Sequence, residues 1–484
     1  MRQAYRVETV RAAERALMAT VPDGTLMLRA AAGLAATCAG ILQRTPGHVY
    51  GARVTVLAGT GDNGGDALYA GALLARRGAA VTAIIPGGKA HQGGLRALTQ
   101  AGGRQGTSLD STDLIIDGLL GIGGRGGLRE PFAALAQQAN ESAAVTVAVD
   151  LPSGIDADTG VVAGPAITAD VTVTFGALKP GLLIDPGAGH AGAVHLIDIG
   201  LDLAAAEPAA RAAQRDDIAA LLPHPGAESD KYRRGVVGVL AGSDRYVGAA
   251  VLASGGAIHG GAGMVRVATS PAAAMAVRLA WPEAVVAEHG SETGRVQAWI
   301  AGPGMGTTDD ARERLVAVLR TELPVLVDAD GLTLLAELRK EGLAARTAPT
   351  LITPHAGELG RLLDADPAEI ESRRLEYARR AAAELNVTVL LKGSTTVIAE
   401  PGSGTVAVNP TGTPWLATAG SGDVLSGLAG ALLAQGLTTA EAAAAAAYLH
   451  GLAGRRAADG APIGASDLIK ALPDAIRATS GTLR

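Results

Sequence analysis

Residues 417–427, Ala417-Thr418-Ala419-Gly420-Ser421-Gly422-Asp423-Val424-Leu425-Ser426-Gly427, set two glycines and a lone carboxylate just before an apolar stretch that runs to Ala434. Glycine lets a backbone come close to a ligand. The apolar stretch reads as a helix. A helix N-terminus presents unpaired N–H groups and the positive end of its dipole, which suits phosphate oxygens. Asp423 then stands beside a cradled phosphate, where a base must be if a hydroxyl is to be phosphorylated. Gly-x-Gly-Asp alone is equally compatible with a Gly-rich turn capping a helix.

Four other segments of the second half carry polar groups at the ends of short β-rich runs. They are Gly302-Pro303-Gly304-Met305-Gly306, Asp328-Ala329-Asp330, Thr353-Pro354-His355-Ala356-Gly357-Glu358 and Lys392-Gly393-Ser394-Thr395-Thr396. In an open α/β sheet, strand carboxyl ends are where ligands bind. A single loop histidine is usually satisfied by its own turn, and a single lysine is usually a solvated cation. Placement at strand ends gives His355 and Lys392 more weight.

The first half has its own set. A run at 53–58 leads into Gly59-Thr60-Gly61-Asp62-Asn63-Gly64-Gly65-Asp66, which matches Gly-x-Gly-x-x-Gly after a strand. The next run ends in Ile85-Pro86-Gly87-Gly88, without the acidic residue that would hold a ribose, so an ordinary NAD dehydrogenase is disfavoured. No Gly-Lys-Ser/Thr follows, which excludes a Walker A loop. Asp62, Asn63 and Asp66 among glycines suit a nucleotide-like ligand or a cation held by oxygens. Asp117 precedes the glycine-dense Gly121-Ile122-Gly123-Gly124-Arg125-Gly126-Gly127, and Asp150 precedes Leu151-Pro152-Ser153-Gly154. Each aspartate alone would be a turn cap. Three at strand ends favour one shared site, to which Lys179-Pro180-Gly181 adds a cation.

The elements that must position these residues alternate in both halves. Strands are expected at 53–58, 81–85, 114–116, 145–149, 171–175 and 195–199, with helices at 66–77 and 131–140. Beyond residue 212, strands are expected at 236–240, 299–301, 325–327, 351–352 and 387–391, with an edge strand or hairpin at 405–408. Helices are expected at 309–320, 367–385 and 439–456, the last opened by a Thr438–Glu441 capping box. This pattern predicts two α/β domains with parallel sheets between helices. The small, pattern-free run at 204–211 is the linker candidate, which gives domains of 1–212 and 213–484.

The 484 residues exceed one ordinary core, in agreement with two domains. Aromatics make up only 2%, so the core must be built from Ala, Val, Leu and Ile. A net charge of −6 and the lack of a basic block argue against nucleic acid as a partner. A single cysteine, Cys38, excludes an intramolecular disulfide and a Cys-based metal cluster, and is in keeping with a reducing compartment. Residues 1–8 lack the apolar core of a signal peptide. Residues 246–265 carry no formal charge, but their Ala/Gly content with Ser254 and His259 predicts a buried helix and strand rather than a membrane span. A cytoplasmic protein without a membrane partner is expected.

In that order, Asp62 to Asp66, Asp117 to Gly127, Asp150 to Gly154 and Lys179 to Gly181 resemble the NAD(P)H-hydrate epimerase domain, which usually has Asn-Asn-Gly-Gly-Asp where this chain begins with Asp62. The resemblance implies a Rossmann-like fold that interconverts R and S hydrates of NAD(P)H. It implies potassium ligated by Asn63, Asp117 and Ser153. It also implies substrate contacts from Asn63, Gly64, Gly65 and Asp66, beside Asp62, from Gly121, Ile122, Gly123, Gly124, Arg125, Gly126 and Gly127, and from Asp150. Epimerisation must break and remake a bond at the hydroxyl-bearing ring carbon, and Asp150 is the candidate proton shuttle, with Lys179 to orient it or contact the substrate; the rival is a purely potassium-binding role for the cluster.

The second half, from Asp230-Lys231 through Gly242, Gly302 to Gly306, Asp328 to Asp330, Thr353 to Glu358, Lys392-Gly393 and Asn409 to Gly427, resembles the ribokinase-like superfamily and most closely its NAD(P)H-hydrate dehydratase branch. By that resemblance Ala253, Gly304, His355 and Asp423 contact the hydrate, Lys392, Gly393, Ser394, Thr395, Thr396 and Gly422 bind the adenine nucleotide, and Asp423 is the base. ADP with Mg2+, NADHX and NADPHX are the implied small molecules, and a homo-oligomer is expected. The rival reading is a small-molecule kinase of the hydroxymethylpyrimidine or hydroxyethylthiazole type with a non-catalytic N-terminal binding module.

Overall fold

The computed structural model describes residues 1–124, 126–287, 293–343 and 346–481. It divides into two compact units, Gln3–Ala210 and Arg211–Arg484, the latter with Met1–Arg2. Each unit holds a parallel sheet flanked by helices, the expected fold class.

In the N-terminal unit the strands lie in the spatial order Arg104–Gln105, Ala80–Ile84, Arg53–Ala58, Leu114–Gly118, Val145–Val149, Val171–Phe175 and Ala193–Ile197. Neighbours run parallel throughout. The interior strands are β-branched and buried on both faces, as strands between two helix layers must be. The chain moves from Arg53–Ala58 to one edge and then returns to the other side of that strand. The order therefore reverses between Arg53–Ala58 and Leu114–Gly118, where Leu57 is in register with Asp117. A crevice opens at such a switch point.

The following helix begins at Asp62 rather than at 66. Gly64 and Gly65 lie inside its first turns instead of before it. Their role is close approach, since a Cβ at Gly64 would come within 2.2 Å of the Gly59 carbonyl. The cluster Asp62-Asn63 thus sits at the helix N-terminus and faces the crevice. The helix Thr25–Arg44 is long and apolar enough to cross a membrane by length and composition. Its Leu34, Cys38 and Leu42 are instead part of the N-terminal core. Residues 246–265 form the expected helix, Val247–His259, and strand, Met264–Ala268.

In the C-terminal unit the central strand Val236–Leu240 is flanked by Met264–Ala268 and Val285–Ala287 on one side. On the other side lie Ala298–Ala301, Val325–Val327, Thr350–Ile352 and Thr388–Leu391, all parallel. An antiparallel hairpin, Thr396–Ala399 with Val406–Asn409, continues that side. The reversal falls between Val236–Leu240 and Ala298–Ala301.

Small residues set the depth of the helix that starts at Ser421. A Cβ at Gly256 would come within 2.4 Å of the Val424 carbonyl, and one at Gly427 within 2.2 Å of the Ala253 carbonyl. The helices Val247–His259 and Ser421–Ala434 therefore pack backbone to backbone, and this fixes where Asp423 lies. The helix expected over 367–385 is two helices, Pro367–Ser372 and Arg374–Leu385, broken at Arg373. Arg373 leaves the helical region (φ −133°, ψ 44°), and the second helix starts with a buried arginine.

Candidate active sites

At the N-terminal switch point a cavity of about 400 Å³ gathers Asp62, Asn63 and Asp66, Gly121 to Gly124, Asp150 and Phe175. Arg11 and Glu14 reach it from the helix Val7–Met18. Gly64, Gly65, Gly126 and Gly127 do not line the cavity, and Arg125 lies outside the described residues. Asp150 adopts a left-handed backbone (φ 64°) at the end of Val145–Val149, a costly conformation for a residue with a Cβ. Its N–H donates to the Val173 carbonyl at 2.7 Å. Its Oδ1 accepts from Thr174 Oγ1 at 3.0 Å, from the Phe175 N–H at 3.3 Å and from Lys179 Nζ. Lys179 is only 1% exposed and also donates to Thr174 Oγ1 at 2.9 Å. It stands behind Asp150 rather than on the cavity wall.

Asp117 is fully buried. It accepts from the Ser153 N–H at 2.8 Å, from Ser153 Oγ at 2.7 Å and from the Leu119 N–H at 3.2 Å. Burial pushes its carboxyl up to about 6 against the pull of the Ser153 bonds. Among the described residues no cation pairs with it, and the Leu120 carbonyl and Ser153 hydroxyl lie beside it. A buried carboxylate with hydroxyl and carbonyl oxygens around it is a donor set that fits a hard cation. The cavity is rich in acids. Burial and the nearby Asp150, Asp62 and Glu14 hold Asp66 well above the usual carboxylate range, and its Oδ1 has no partner among the described residues. Glu14 is raised by burial and by Asp150.

In the C-terminal unit, the ends of adjacent strands bring together Gly304, Asp328, His355 with Glu358, and Lys392. Lys392 Nζ donates to Asp328 Oδ1 at 2.8 Å and lies 3.6 Å from Glu358 Oε2. Asp328 also accepts from Ser426 Oγ at 2.7 Å. Burial works against the charged ammonium, but Asp328, Glu358 and Asp423 outweigh it and hold Lys392 above its ordinary value. Gly422 presents its Cα to this group, since a Cβ there would be 3.5 Å from Lys392 Nζ.

Asp423, in the first turn of Ser421–Ala434, makes no hydrogen bond or ion pair with a described residue. Burial raises it to about 7. Asp328, Asp330 and Glu358 act in the same direction, and Lys392 opposes them. His355 caps the helix Ala356–Leu363: its Nδ1 accepts from the Gly357 N–H at 3.0 Å while Glu358 accepts from the His355 N–H at 2.8 Å. Its ring remains 57% exposed at the site rim. Ala253 has no exposed surface.

Sequence reasoning overlooked four residues. Arg11 and Glu14 lie one turn apart on a helix that no motif marks. His450, buried on Thr439–Ala458, donates from Nε2 to the Ser421 carbonyl at 2.9 Å, and burial pushes it down to about 4, so it stays neutral. Arg374 donates to the loop that carries Lys392. For both buried residues a signal was available. Arg374 shares a stripe with Ala378, Ala382 and Leu385, and His450 one with Ala446, Leu449 and Ala453, so each is a polar group on the apolar face of its helix.

Known proteins fit this geometry. The family described as NAD(P)H-hydrate dehydratase matches residues 237–474, and the family described as YjeF-related protein N-terminus matches residues 23–181. A bifunctional NAD(P)H-hydrate repair enzyme Nnr from Mycobacterium tuberculosis is 50% identical over 447 residues, covering 92% of each chain. Its namesake from Mycobacterium leprae is 48% identical over 452 residues, covering 93% of each. The crystal structure of an ADP/ATP-dependent NAD(P)H-hydrate dehydratase from Bacillus subtilis, co-crystallised with ATP/Mg2+, superposes with a TM-score of 0.51 at 32% identity. That match covers 55% of this chain and 97% of the other.

Proposed function

The chain belongs to the bifunctional NAD(P)H-hydrate repair enzyme family, and on that premise we propose how its two sites divide the work. The N-terminal unit is the epimerase and the C-terminal unit the dehydratase. Exchange between R and S hydrates feeds the S form to the second site, so the fusion clears both epimers. The observation that supports this reading is that each unit gathers polar residues at its strand carboxyl ends around a candidate carboxylate, Asp150 in the first and Asp423 in the second.

In the epimerase, the bond to the hydroxyl-bearing ring carbon must break and re-form. Asp150 carries the proton of the departing and returning water, and Lys179 holds and orients it from behind. Asn63, Asp117 and Ser153 would hold potassium, which would neutralise the buried Asp117 and fix the loop at 119–124.

In the dehydratase, Asp423 takes the proton from the ring hydroxyl as its oxygen attacks the terminal phosphorus of ADP. AMP leaves and a phosphate ester forms on the ring carbon. The N–H groups of Gly420, Gly422 and Asp423 together with Lys392 stabilise the charge on the phosphoryl oxygens. The ring nitrogen then expels phosphate, a far better leaving group than hydroxide. Loss of a proton from the adjacent ring carbon restores the dihydronicotinamide. Lys392, Gly393, Ser394, Thr395, Thr396 and Gly422 face the nucleotide, while Gly304 and His355 belong to the hydrate side; Ala253, with no exposed surface, lies beneath that side, in the packing of Val247–His259 against Ser421–Ala434. Asp328 and Glu358 are engaged with Lys392, so magnesium would arrive on the phosphates of ADP, whose charge it would neutralise.

The test is to incubate mixed epimers with ADP or ATP, with and without potassium, following restored NAD(P)H absorbance and the loss of each epimer. The reading requires both epimers to vanish with ADP, and the R form to persist when epimer exchange is blocked. Release of a stable phosphorylated product instead would point to the small-molecule kinase.

A further inference from the structure

We propose that Arg374 is a positioning residue for the phosphate-facing loop of the dehydratase site, acting through the backbone of residues 391–395. The proposal rests on the reading of Lys392 to Thr396 as the segment that meets the nucleotide. Arg374 is 1% exposed, one of the largest fully buried side chains of the chain. One guanidinium nitrogen donates to three carbonyls of a single turn: Leu391 at 3.3 Å, Lys392 at 2.7 Å and Thr395 at 3.1 Å. The other terminal nitrogen pairs with Glu371.

A planar peptide with its carbonyl on the guanidinium has its N–H on the opposite side. The Lys392–Gly393 peptide is held this way, so the Gly393 N–H turns away from Arg374. The Lys392 N–H is fixed separately, donating to the Pro354 carbonyl at 2.8 Å. Together these bonds set the base of the lysine side chain that reaches Asp328. Gly393 is required by the same contact, because a Cβ there would come within 2.1 Å of the guanidinium.

Stability gives a poor account of this arginine. Its ion-pair partner Glu371 is 55% exposed, so water screens the pair, and the Arg374 Nε is buried with no partner among the described residues. The helix also breaks at Arg373 where the periodicity would run on, which lets Arg374 open the next helix towards the loop. The ligand class served is the phosphate chain of a nucleoside diphosphate.

The test uses the full-length chain, with epimer exchange as an internal control of folding and concentration. Arg374→Met is expected to raise KM for ADP about tenfold, the scale of losing charge-assisted hydrogen bonds, while KM for the hydrate and the epimer exchange rate hold. Arg374→Lys, which keeps the charge but not the fork, recovers part of that loss. An unchanged KM for ADP, or equal rises in both KM values together with a lower thermal midpoint, overturns the proposal. If Arg374→Met does not fold, Arg374→Lys is read alone, and a KM for ADP equal to that of the parent chain overturns the proposal. Lys392→Met separates the two layers of the argument. If it leaves KM for ADP unchanged, the nucleotide-loop reading fails and the proposal with it. If it raises KM for ADP while the Arg374 variants are silent, only the positioning role fails.

Discussion

Asp150 and Asp423 are both set by a parallel sheet whose strand order reverses, yet their surroundings differ. Asp150 sits at a strand end and accepts from Lys179, Thr174 and the Phe175 backbone. Asp423 sits in a helix first turn with no direct partner among the described residues, in the field of Asp328, Asp330 and Glu358. The first is a carboxylate anchored by a dedicated cation. The second is a carboxylate left free to take a proton near neutral pH. A base works best when its pKa lies near the operating pH, and burial among other acids moves Asp423 there. Two sheets that each reverse strand order therefore give their carboxylates different surroundings, set by which partners the flanking loops supply.

The largest expected effect breaks the comparison at the free carboxylate. Asp423→Asn should lower ADP-dependent dehydration by about 10²–10⁴-fold, the range for loss of a general base, with epimer exchange intact. Absorbance of restored NAD(P)H and separation of the epimers measure the two activities on one sample. Asp150→Asn should reverse the pattern, slowing epimer exchange by about 10²-fold while dehydration of the S form proceeds. Equal loss of both activities in either variant would deny that the sites are separate.

A smaller effect sharpens the contrast. With Asp423 raised to about 7 in the free chain, dehydratase kcat/KM should fall about tenfold per pH unit below that value as the base is protonated, read from a pH–rate profile at low substrate. The smallest effect is on stability. A carboxyl raised in the folded chain binds its proton more tightly there than in the unfolded chain, whose value is about 3.9. Folding therefore loses stability as pH rises from that value through about 7. Asp423→Asn should raise the thermal midpoint of the C-terminal unit by roughly 2–4 °C at pH 8 and by less at pH 5, as calorimetry would show.

Much of this was legible in the sequence because strands and Gly-rich turns leave local signatures. The strand at 53–58, the runs ending at Asp117 and Asp150, and the turn before Asp423 follow from alternation and glycine placement alone. The helix start at Asp62 was not legible, because Gly64 and Gly65 look like breakers until the Gly59 carbonyl beneath them is known. The break at Arg373 was hidden by a helical pattern that continues across it, since a tertiary contact made by Arg374 overrides the local preference. Glu14 and Arg11 join their site only through tertiary folding, and nothing in residues 7–18 points to a cavity formed by strands a hundred residues later.

The central claim concerns where the Asp423 carboxylate lies relative to the reacting groups. A crystal structure of the chain with an unreactive ADP analogue and the S hydrate measures this directly. The account predicts a carboxylate oxygen within about 2.6–3.2 Å of the ring hydroxyl, with that hydroxyl facing the terminal phosphorus. A carboxylate remote from both the hydroxyl and the phosphorus would contradict it.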